Sequence, residues 1–124
     1  MKYKAFKDLP MWVLSSSLIN LIYDCTKQFP KEETFNLVSQ LRRASVSIAG
    51  NIAESWGRYY YADKARILAI ARGEIEEIRS HLAIANNLGF INKKDYRFLE
   101  DEYSQLLNDL NKHRKSLMNK NINF

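Results

Sequence analysis

The feature of this chain that most constrains its fold is the scarcity of residues that end helices. Glycine occurs four times and proline twice in 124 residues, which leaves long stretches without a breaker. One long stretch, Asn36 to Arg58, has a single internal glycine, carries apolar residues at spacings of three and four, and stops at a Gly-Arg step. This spacing places the apolar side chains on one helix face. We therefore expect a few long helices.

Four segments show this helical period, at about residues 9–28, 33–55, 62–88 and 93–118. Asp8 is a candidate N-cap of the first helix, and Asn92 is a candidate N-cap of the fourth. Gly57 is the expected left-handed residue that ends the second helix, and Gly89 closes the third. Short connections make consecutive helices antiparallel. The sequence predicts an all-α protein, a single domain over residues 1–124 that folds as an up-down-up-down antiparallel four-helix bundle.

The second helix is unusually slim, because small residues occur on several of its sides. A slim helix lets another backbone approach closely, either inside the bundle or across a contact between subunits. Both interpretations remain open from the sequence. The small residues in question are Ser39, Ala44, Ser45, Ser47, Ala49 and Gly50.

The composition is that of a globular protein, with 46% apolar and 27% charged residues. Cys25 is the one cysteine, so it cannot form an internal disulfide, which suits a reducing compartment. No stretch approaches the ~18 apolar residues of a membrane span, and the N-terminus lacks the apolar core of a signal peptide. We expect a cytoplasmic protein without a membrane partner.

The sequence offers no catalytic site, metal site or cofactor-binding motif. His81 follows Glu77 by four residues and Glu74 by seven, which is at most half of a di-iron site. His113 lacks the preceding arginine that helical ribonucleases of one kind place before their catalytic histidine. No phosphate-binding glycine loop, paired-cysteine motif or nucleophile elbow occurs. We predict that the protein is not an enzyme and that it carries no cofactor.

The chain resembles the four-helix-bundle proteins encoded in intervening sequences of bacterial 23S ribosomal RNA genes. The resemblance extends over most of the chain. It rests on Trp12, Phe29-Pro30, Phe35, Leu37, Ser39-Gln40-Leu41-Arg42-Arg43-Ala44, Ser47-Ile48, Asn51-Ile52-Ala53-Glu54, Gly57-Arg58, Ile70-Ala71-Arg72-Gly73, His81-Leu82-Ala83-Ile84-Ala85 and Leu88-Gly89.

The resemblance implies an all-α bundle that assembles into a homopentamer and has no established enzyme activity. Two departures from the family pattern lie near the end of the second helix: Ile48-Ala49-Gly50-Asn51 replaces Ile-Pro-Ser-Asn, and Glu54-Ser55 replaces Glu-Gly. The chain is more distantly similar to the accessory variability protein of diversity-generating retroelements. That protein is a pentameric barrel that binds a reverse transcriptase and nucleic acid.

The formal charge of +5 is unevenly distributed. In an up-down-up-down bundle, both termini and the turn between the second and third helices lie at one end, here called the basic end. Nine cations gather there against Asp8, Glu54, Asp63 and Asp109. The cations are Lys2, Lys4, Lys7, Arg58, Lys64, Lys112, Arg114, Lys115 and Lys120.

The basic end also carries three consecutive tyrosines beside Arg58, namely Tyr59, Tyr60 and Tyr61. Exposed aromatic rings stack on bases while cations follow phosphates, which predicts binding of RNA or single-stranded nucleic acid at this end. In an alternative reading, the cations complement helix dipoles and the tyrosines anchor the turn or fill a subunit contact. The predicted binding residues are Arg58, Tyr59, Tyr60, Lys64, Arg114 and Lys115.

Arg42 and Arg43 form a secondary candidate site. Adjacent helical residues point about 100° apart, so one of the two is expected to pair with an acid of a neighbouring helix or subunit while the other faces solvent or nucleic acid. Two further functions remain open: an accessory subunit that binds a protein partner such as a reverse transcriptase, and a purely structural oligomer.

Overall fold

A computed structural model describes residues 2–122, and the side chains up to Lys120. It contains four α-helices: α1, Pro10–Thr26; α2, Ser39–Gly57; α3, Tyr61–Asn87; and α4, Lys93–Ile122. A short 3₁₀ helix, Phe6–Asp8, precedes α1. No strand occurs in the part of the chain that is described. The predicted all-α four-helix bundle is confirmed.

The direction of the helices follows from the contacts between them. Near the end of α2, the Ser55 carbonyl accepts a hydrogen bond from Lys64 at the start of α3. Near the start of α2, Arg43 pairs with Glu77 farther along α3. The paired residues run in opposite order along the two helices, so α2 and α3 are antiparallel.

The same reversal relates α3 to α4. Arg114, in the last part of α4, donates to the carbonyl of Ala65 near the start of α3. Arg79, in the second half of α3, pairs with Glu100 near the start of α4. Helix α1 packs against both α2 and α4 and closes the four-helix arrangement.

The core contains the apolar faces that the sequence predicts for α2 and α3. These faces are fully or almost fully buried, as expected from spacings of three and four residues. Helix α1 buries Met11, Ser15, Leu18, Ile22 and Thr26, whereas Trp12 and Ile19 are half-buried. The largest fully buried aliphatic side chains are Leu18, Ile22, Leu41, Ile48, Ile52, Leu68, Ile75, Ile78, Leu82, Leu106 and Leu110.

The small residues of α2 serve more than one environment. Ala44, Ser45 and Ala49 are buried inside the bundle, where they allow close approach of the neighbouring helices. Ser39 and Gly50 lie on the exposed side of the helix. Close contact within the bundle therefore accounts for three of the six small residues.

The start of the second helix differs from the prediction. Regular helix begins at Ser39 rather than near residue 33, after a 3₁₀ turn at Lys31–Glu33 and a wide turn at Thr34–Val38. Phe35 and Asn36 leave helical geometry, with φ/ψ of −99°/16° and −128°/−105°. The two turns carry the chain across the end of the bundle. Leu37 and Val38, at the end of the wide turn, are buried. Helical spacing alone cannot reveal this irregular connection.

The helix ends confirm two predicted signals and contradict two. Asn92 accepts a hydrogen bond from the Asp95 amide at 2.8 Å, as an N-cap does, and Gly89 follows α3 with a φ of 78°. Gly57 is not left-handed, because α2 continues through it and the chain leaves in extended conformation. Asp8 does not cap α1, because its carboxylate accepts the amides of Lys4 and Ala5 instead. Helix α4 also extends to Ile122, beyond the predicted end near 118.

Candidate nucleic-acid interface

The turn between α2 and α3 presents two tyrosines to solvent. It consists of three residues, and the backbone of Arg58 and Tyr60 is extended. Tyr59 is 86% exposed and Tyr60 is 66% exposed. Their rings contact each other edge-to-face, with 4.9 Å between centroids. The two side chains therefore contribute little to the core and offer aromatic surface to an external ligand.

Arg58 lies beside these rings and is partly engaged with its own helix. One terminal nitrogen of its guanidinium donates to Glu54 at 2.6 Å, one turn earlier in α2. The hydrogen bond and the charge of Glu54 raise the pKa of Arg58. Surface pairs of this kind exchange readily with other anions, so the guanidinium remains available to a phosphate.

Lys64 has a structural task that the sequence did not reveal. Its ammonium donates to the carbonyls of Ser55 at 3.2 Å and Trp56 at 2.9 Å. These carbonyls belong to the last turn of α2, where the regular helical amide donors run out, although the Arg58 amide also donates to Ser55. Burial lowers the pKa of Lys64. The lysine thus satisfies the C-terminal end of α2 from the first turns of α3.

Arg114 and Lys115 differ in their surroundings although they are adjacent in α4. The Nε of Arg114 donates to the carbonyl of Ala65 at 3.1 Å, and the residue is half-buried. Lys115 is exposed. The structure places both at the basic end, together with Arg58 and the tyrosine turn, as the sequence predicts.

The two arginines of the secondary candidate site lie apart from the basic end. Arg42 donates from Nε to the Thr26 hydroxyl at 3.0 Å, and its guanidinium lies over the ring of Tyr23 at 4.6 Å. Arg43 forms two hydrogen bonds to the carboxylate of Glu77, at 2.9 and 3.1 Å. Arg42 therefore links α2 to α1, and Arg43 links α2 to α3.

The structure also contains a pocket at the basic end that the sequence analysis missed. We call it the basic-end pocket. It has a volume of about 450 Å³ and is bounded by the N-terminal segment, the end of α2, the start of α3 and the end of α4. Sequence gives one weak signal of it, since His113, Leu117 and Lys120 recur at helical spacing on α4. The residues that line the pocket are Lys4, Leu9, Ser55, Trp56, Tyr61, Lys64, His113, Leu117 and Lys120.

His113 is exposed overall, but its imidazole is partly desolvated in the pocket wall. This desolvation lowers its pKa, and the positive charges of Lys120 and Lys64 lower it further. Both lysines disfavour a second positive charge beside them. The imidazole is therefore a neutral group at pH 7, surrounded by cations.

The acidic residues near His81 are engaged elsewhere. Glu77 binds Arg43, and Glu74 accepts a hydrogen bond from Asn51. His81 itself has a buried Nδ1 without a hydrogen-bond partner in the described structure. Among residues 2–122, no group of three potential ligands is placed to hold a metal ion.

None of the helices described has the combination of length and apolar character needed to cross a membrane.

Comparison with known proteins gives a family and a fold. A family model described as 23S rRNA-intervening sequence protein matches residues 7–112. A crystal structure of a protein of unknown function from the S23 ribosomal protein family of Bacteroides thetaiotaomicron VPI-5482 is similar in fold, with a TM-score of 0.78 and 23% sequence identity. The match covers 85% of this chain and 95% of that protein. No curated protein matches the sequence significantly.

Proposed function

The chain belongs to the 23S rRNA-intervening sequence protein family, and from this premise and the geometry of its basic end we propose that it binds RNA or single-stranded nucleic acid. In this proposal the protein is a binding module and performs no reaction on the nucleic acid. The contact surface is the exposed part of the basic end around the turn between α2 and α3.

One observation carries the proposal: two tyrosines project into solvent next to a cation. A turn of three residues needs no such rings for its own stability, and Tyr59 and Tyr60 are 86% and 66% exposed. Stacking of a base on an aromatic side chain contributes about 1–3 kcal/mol and tolerates any base. Arg58, beside them, supplies a guanidinium for the phosphate between two stacked bases.

The structure narrows the set of side chains that are free to take part. Arg58, Tyr59, Tyr60 and Lys115 are exposed, and they form the proposed contact set. Arg114 uses one nitrogen for Ala65, so its terminal nitrogens support the set from beside α3. Lys64 and Arg42 hold helices together, and Arg43 is exposed but lies apart from the basic end. We assign none of the three a direct contact with the surface-bound strand.

We propose that the module works as a homopentamer. Its outer surface carries apolar side chains that assembly would cover, among them Val46 on α2, Ile70 and Ile84 on α3, and Leu88 just after α3, which are 42–56% exposed. Five copies of one weak site, fixed on a ring, raise the overall affinity through effective concentration. Light scattering on the purified protein is expected to give five times the mass of one chain.

The test is a titration of fluorescently labelled single-stranded RNA and duplex DNA at several salt concentrations. Affinity for the single strand should exceed that for the duplex, because only unpaired bases stack on the tyrosines. Affinity should also fall as salt rises, with a log–log slope of about −0.7 for each phosphate contacted. The Tyr59→Ser/Tyr60→Ser variant should bind RNA at least tenfold more weakly at an unchanged salt slope.

Charge variants separate a specific surface from general basicity. Arg58→Gln/Lys115→Gln should weaken RNA binding and flatten the salt slope. Lys93→Gln/Lys94→Gln is the matched control, because it removes two exposed positive charges at the start of α4, at the other end of the bundle. Equal losses in both variants, or no RNA binding at low salt, would overturn the proposal and favour a protein partner or a structural role.

A further inference from the structure

The basic-end pocket has the size of a small-molecule site. Its volume of about 450 Å³ falls within the ~300–1,000 Å³ of pockets that bind drug-sized ligands. Leu9, Ser55 and Leu117 are buried and form its floor, whereas Lys4 and Lys120 are exposed and stand at its rim. A ligand can therefore enter from solvent and contact these buried side chains.

The charge of the pocket selects an anion. Lys4, Lys64 and Lys120 contribute three ammonium groups, each from a different segment of the chain, and no carboxylate appears among the described residues of its wall. Three ammonium groups line one pocket without an acid, and a bound dianion would offset their charge. Phosphate is an anion that suits such a site, because lysine binds it as a point charge.

Lys64 is held in position for this role. Its ammonium spends two donors on the Ser55 and Trp56 carbonyls, at 3.2 and 2.9 Å. An ammonium has three donors, so one remains. Because the two carbonyls fix its position, an anion that takes the third donor does not have to immobilise a flexible side chain.

The remaining wall is aromatic. Trp56 and Tyr61 both line the pocket, and each ring has a lysine ammonium near it, Lys64 at 6.0 Å from the indole centroid and Lys120 at 5.6 Å from the phenol centroid. Aromatic surface and ammonium groups are therefore adjacent at both rings. A ligand that joins a planar ring to a phosphate matches this arrangement.

We propose that the basic-end pocket binds a nucleoside phosphate, with the phosphate among Lys4, Lys64 and Lys120 and the base against Trp56 or Tyr61. The inference rests on the proposed function and deepens it, since it gives the nucleic acid a specific point of attachment beside the tyrosine turn. The ligand is either a free nucleotide or the phosphorylated end of an RNA chain.

The pKa of His113 reports on phosphate binding. A pocket with only a structural role would leave this pKa unchanged when a ligand is added. Lys4 from the N-terminal segment, Lys64 from α3 and Lys120 from α4 are the charged groups that line the pocket with it, and α2 contributes only the uncharged Ser55 and Trp56. A phosphate bound among the lysines offsets their charge. The pKa of His113, read by NMR, should therefore rise when adenosine monophosphate is added.

Fluorescence supplies the binding assay. The chain has two tryptophans, and Trp12 contacts the ring of Phe6 rather than the pocket. Trp12→Phe therefore leaves Trp56 as the single indole. Adenosine monophosphate should quench its emission, whereas adenosine, which lacks the phosphate, and inorganic phosphate, which lacks the base, should bind at least tenfold more weakly.

Paired variants locate the site. In the Trp12→Phe background, Lys4→Gln/Lys120→Gln should weaken binding of adenosine monophosphate about tenfold or more, as expected for lost hydrogen bonds to a charged group. Lys7→Gln/Lys112→Gln removes two exposed charges of the basic end that do not line the pocket, and should change binding less than twofold. Equal losses in the two variants would overturn the inference in favour of bulk charge.

RNA probes identify the source of the ligand and separate this inference from the proposed function. Tighter binding of 5′-phosphorylated RNA than of 5′-hydroxyl RNA supports capture of a chain end, whereas a response to the mononucleotide alone supports a free nucleotide. If neither adenosine monophosphate nor 5′-phosphorylated RNA changes the emission of Trp56, the inference is overturned, even if RNA still binds at the tyrosine turn. Conversely, if Tyr59→Ser/Tyr60→Ser binds RNA with unchanged affinity while the emission of Trp56 is still quenched, the proposed function is overturned and the inference about the pocket stands.

Discussion

Replacing Tyr103 with phenylalanine should stabilise the protein. Tyr103 lies in α4 and is 1% exposed, and its hydroxyl has no hydrogen-bond partner in the described part of the chain. Burying a hydroxyl without a hydrogen bond costs about 1–3 kcal/mol. Phenylalanine keeps the ring in the core and removes that cost.

The void left by the hydroxyl subtracts little from this gain. A cavity of about 15 Å³, at about 24 cal/mol per Å³, costs about 0.4 kcal/mol. The free energy of unfolding of Tyr103→Phe should therefore rise by about 1 kcal/mol. For a chain of this size, that corresponds to a Tm higher by about 3–5 °C.

The assay is thermal and urea denaturation followed by circular dichroism at fixed protein concentration, with the exposed Tyr59→Phe as control. The control should lie within about 0.3 kcal/mol of the parent, because its hydroxyl is hydrated in either state. Burial raises the pKa of Tyr103 above its usual value of 10.0. The unfolded chain therefore loses this proton first, so the parent loses stability above pH 10 and the advantage of Tyr103→Phe widens there. A variant less stable than the parent by more than about 0.5 kcal/mol would refute the reasoning, because it would show that the hydroxyl is hydrogen-bonded.

Three further predictions concern the backbone and two titrating groups. Gly89→Ala should lower the free energy of unfolding, measured by urea denaturation, by about 1–2 kcal/mol because the φ of Gly89 is +78°. Gly73→Ala should raise it by about 0.5–1 kcal/mol, since Gly73 is inside α3 with open space around it. Changes of the same sign in both variants would contradict this reasoning. The pKa of His113 is depressed from 6.5, so stability should fall as the pH drops below 6.5, and His113→Gln should lose less over that range in pH-dependent melts. Burial raises the pKa of Cys25 to about 11, so Ellman's reagent should react at pH 8 much more slowly than with a free thiol and accelerate on unfolding.

The sequence predicts the helices well because the burial of a helix face follows from the spacing of apolar residues along the chain. Ile48 and Ile52 are four residues apart, fall on one face of α2 and are fully buried. This spacing rule fails at Phe35, which lies three residues before the buried Val38 and yet is 94% exposed. Between them the backbone leaves helical geometry at Asn36, and no spacing rule applies across such a turn.

Glycine shows the same limit at the helix ends. Gly57 and Gly89 both follow long periodic segments, and the sequence treats both as terminators. Only Gly89 has a positive φ. At the end of α2, the Ser55 carbonyl accepts hydrogen bonds from the Arg58 amide and the Lys64 side chain, and the Trp56 carbonyl accepts one from Lys64. A side chain of the next helix therefore supplements the local backbone cap, and residue patterns at the helix end do not reveal such a partner.

The candidate site shows the same difference. The sequence gives the residue types, but only the fold shows which of them are in contact. The sequence predicts a group of cations at the basic end, but it treats Lys64 and Lys115 as equivalent charges. The fold makes the first a fixed donor in a pocket wall and leaves the second exposed. Their replacements should therefore differ in kind: loss of Lys115 should act through salt-dependent affinity alone, whereas loss of Lys64 should lower both the stability of the end of α2 and the affinity of the pocket.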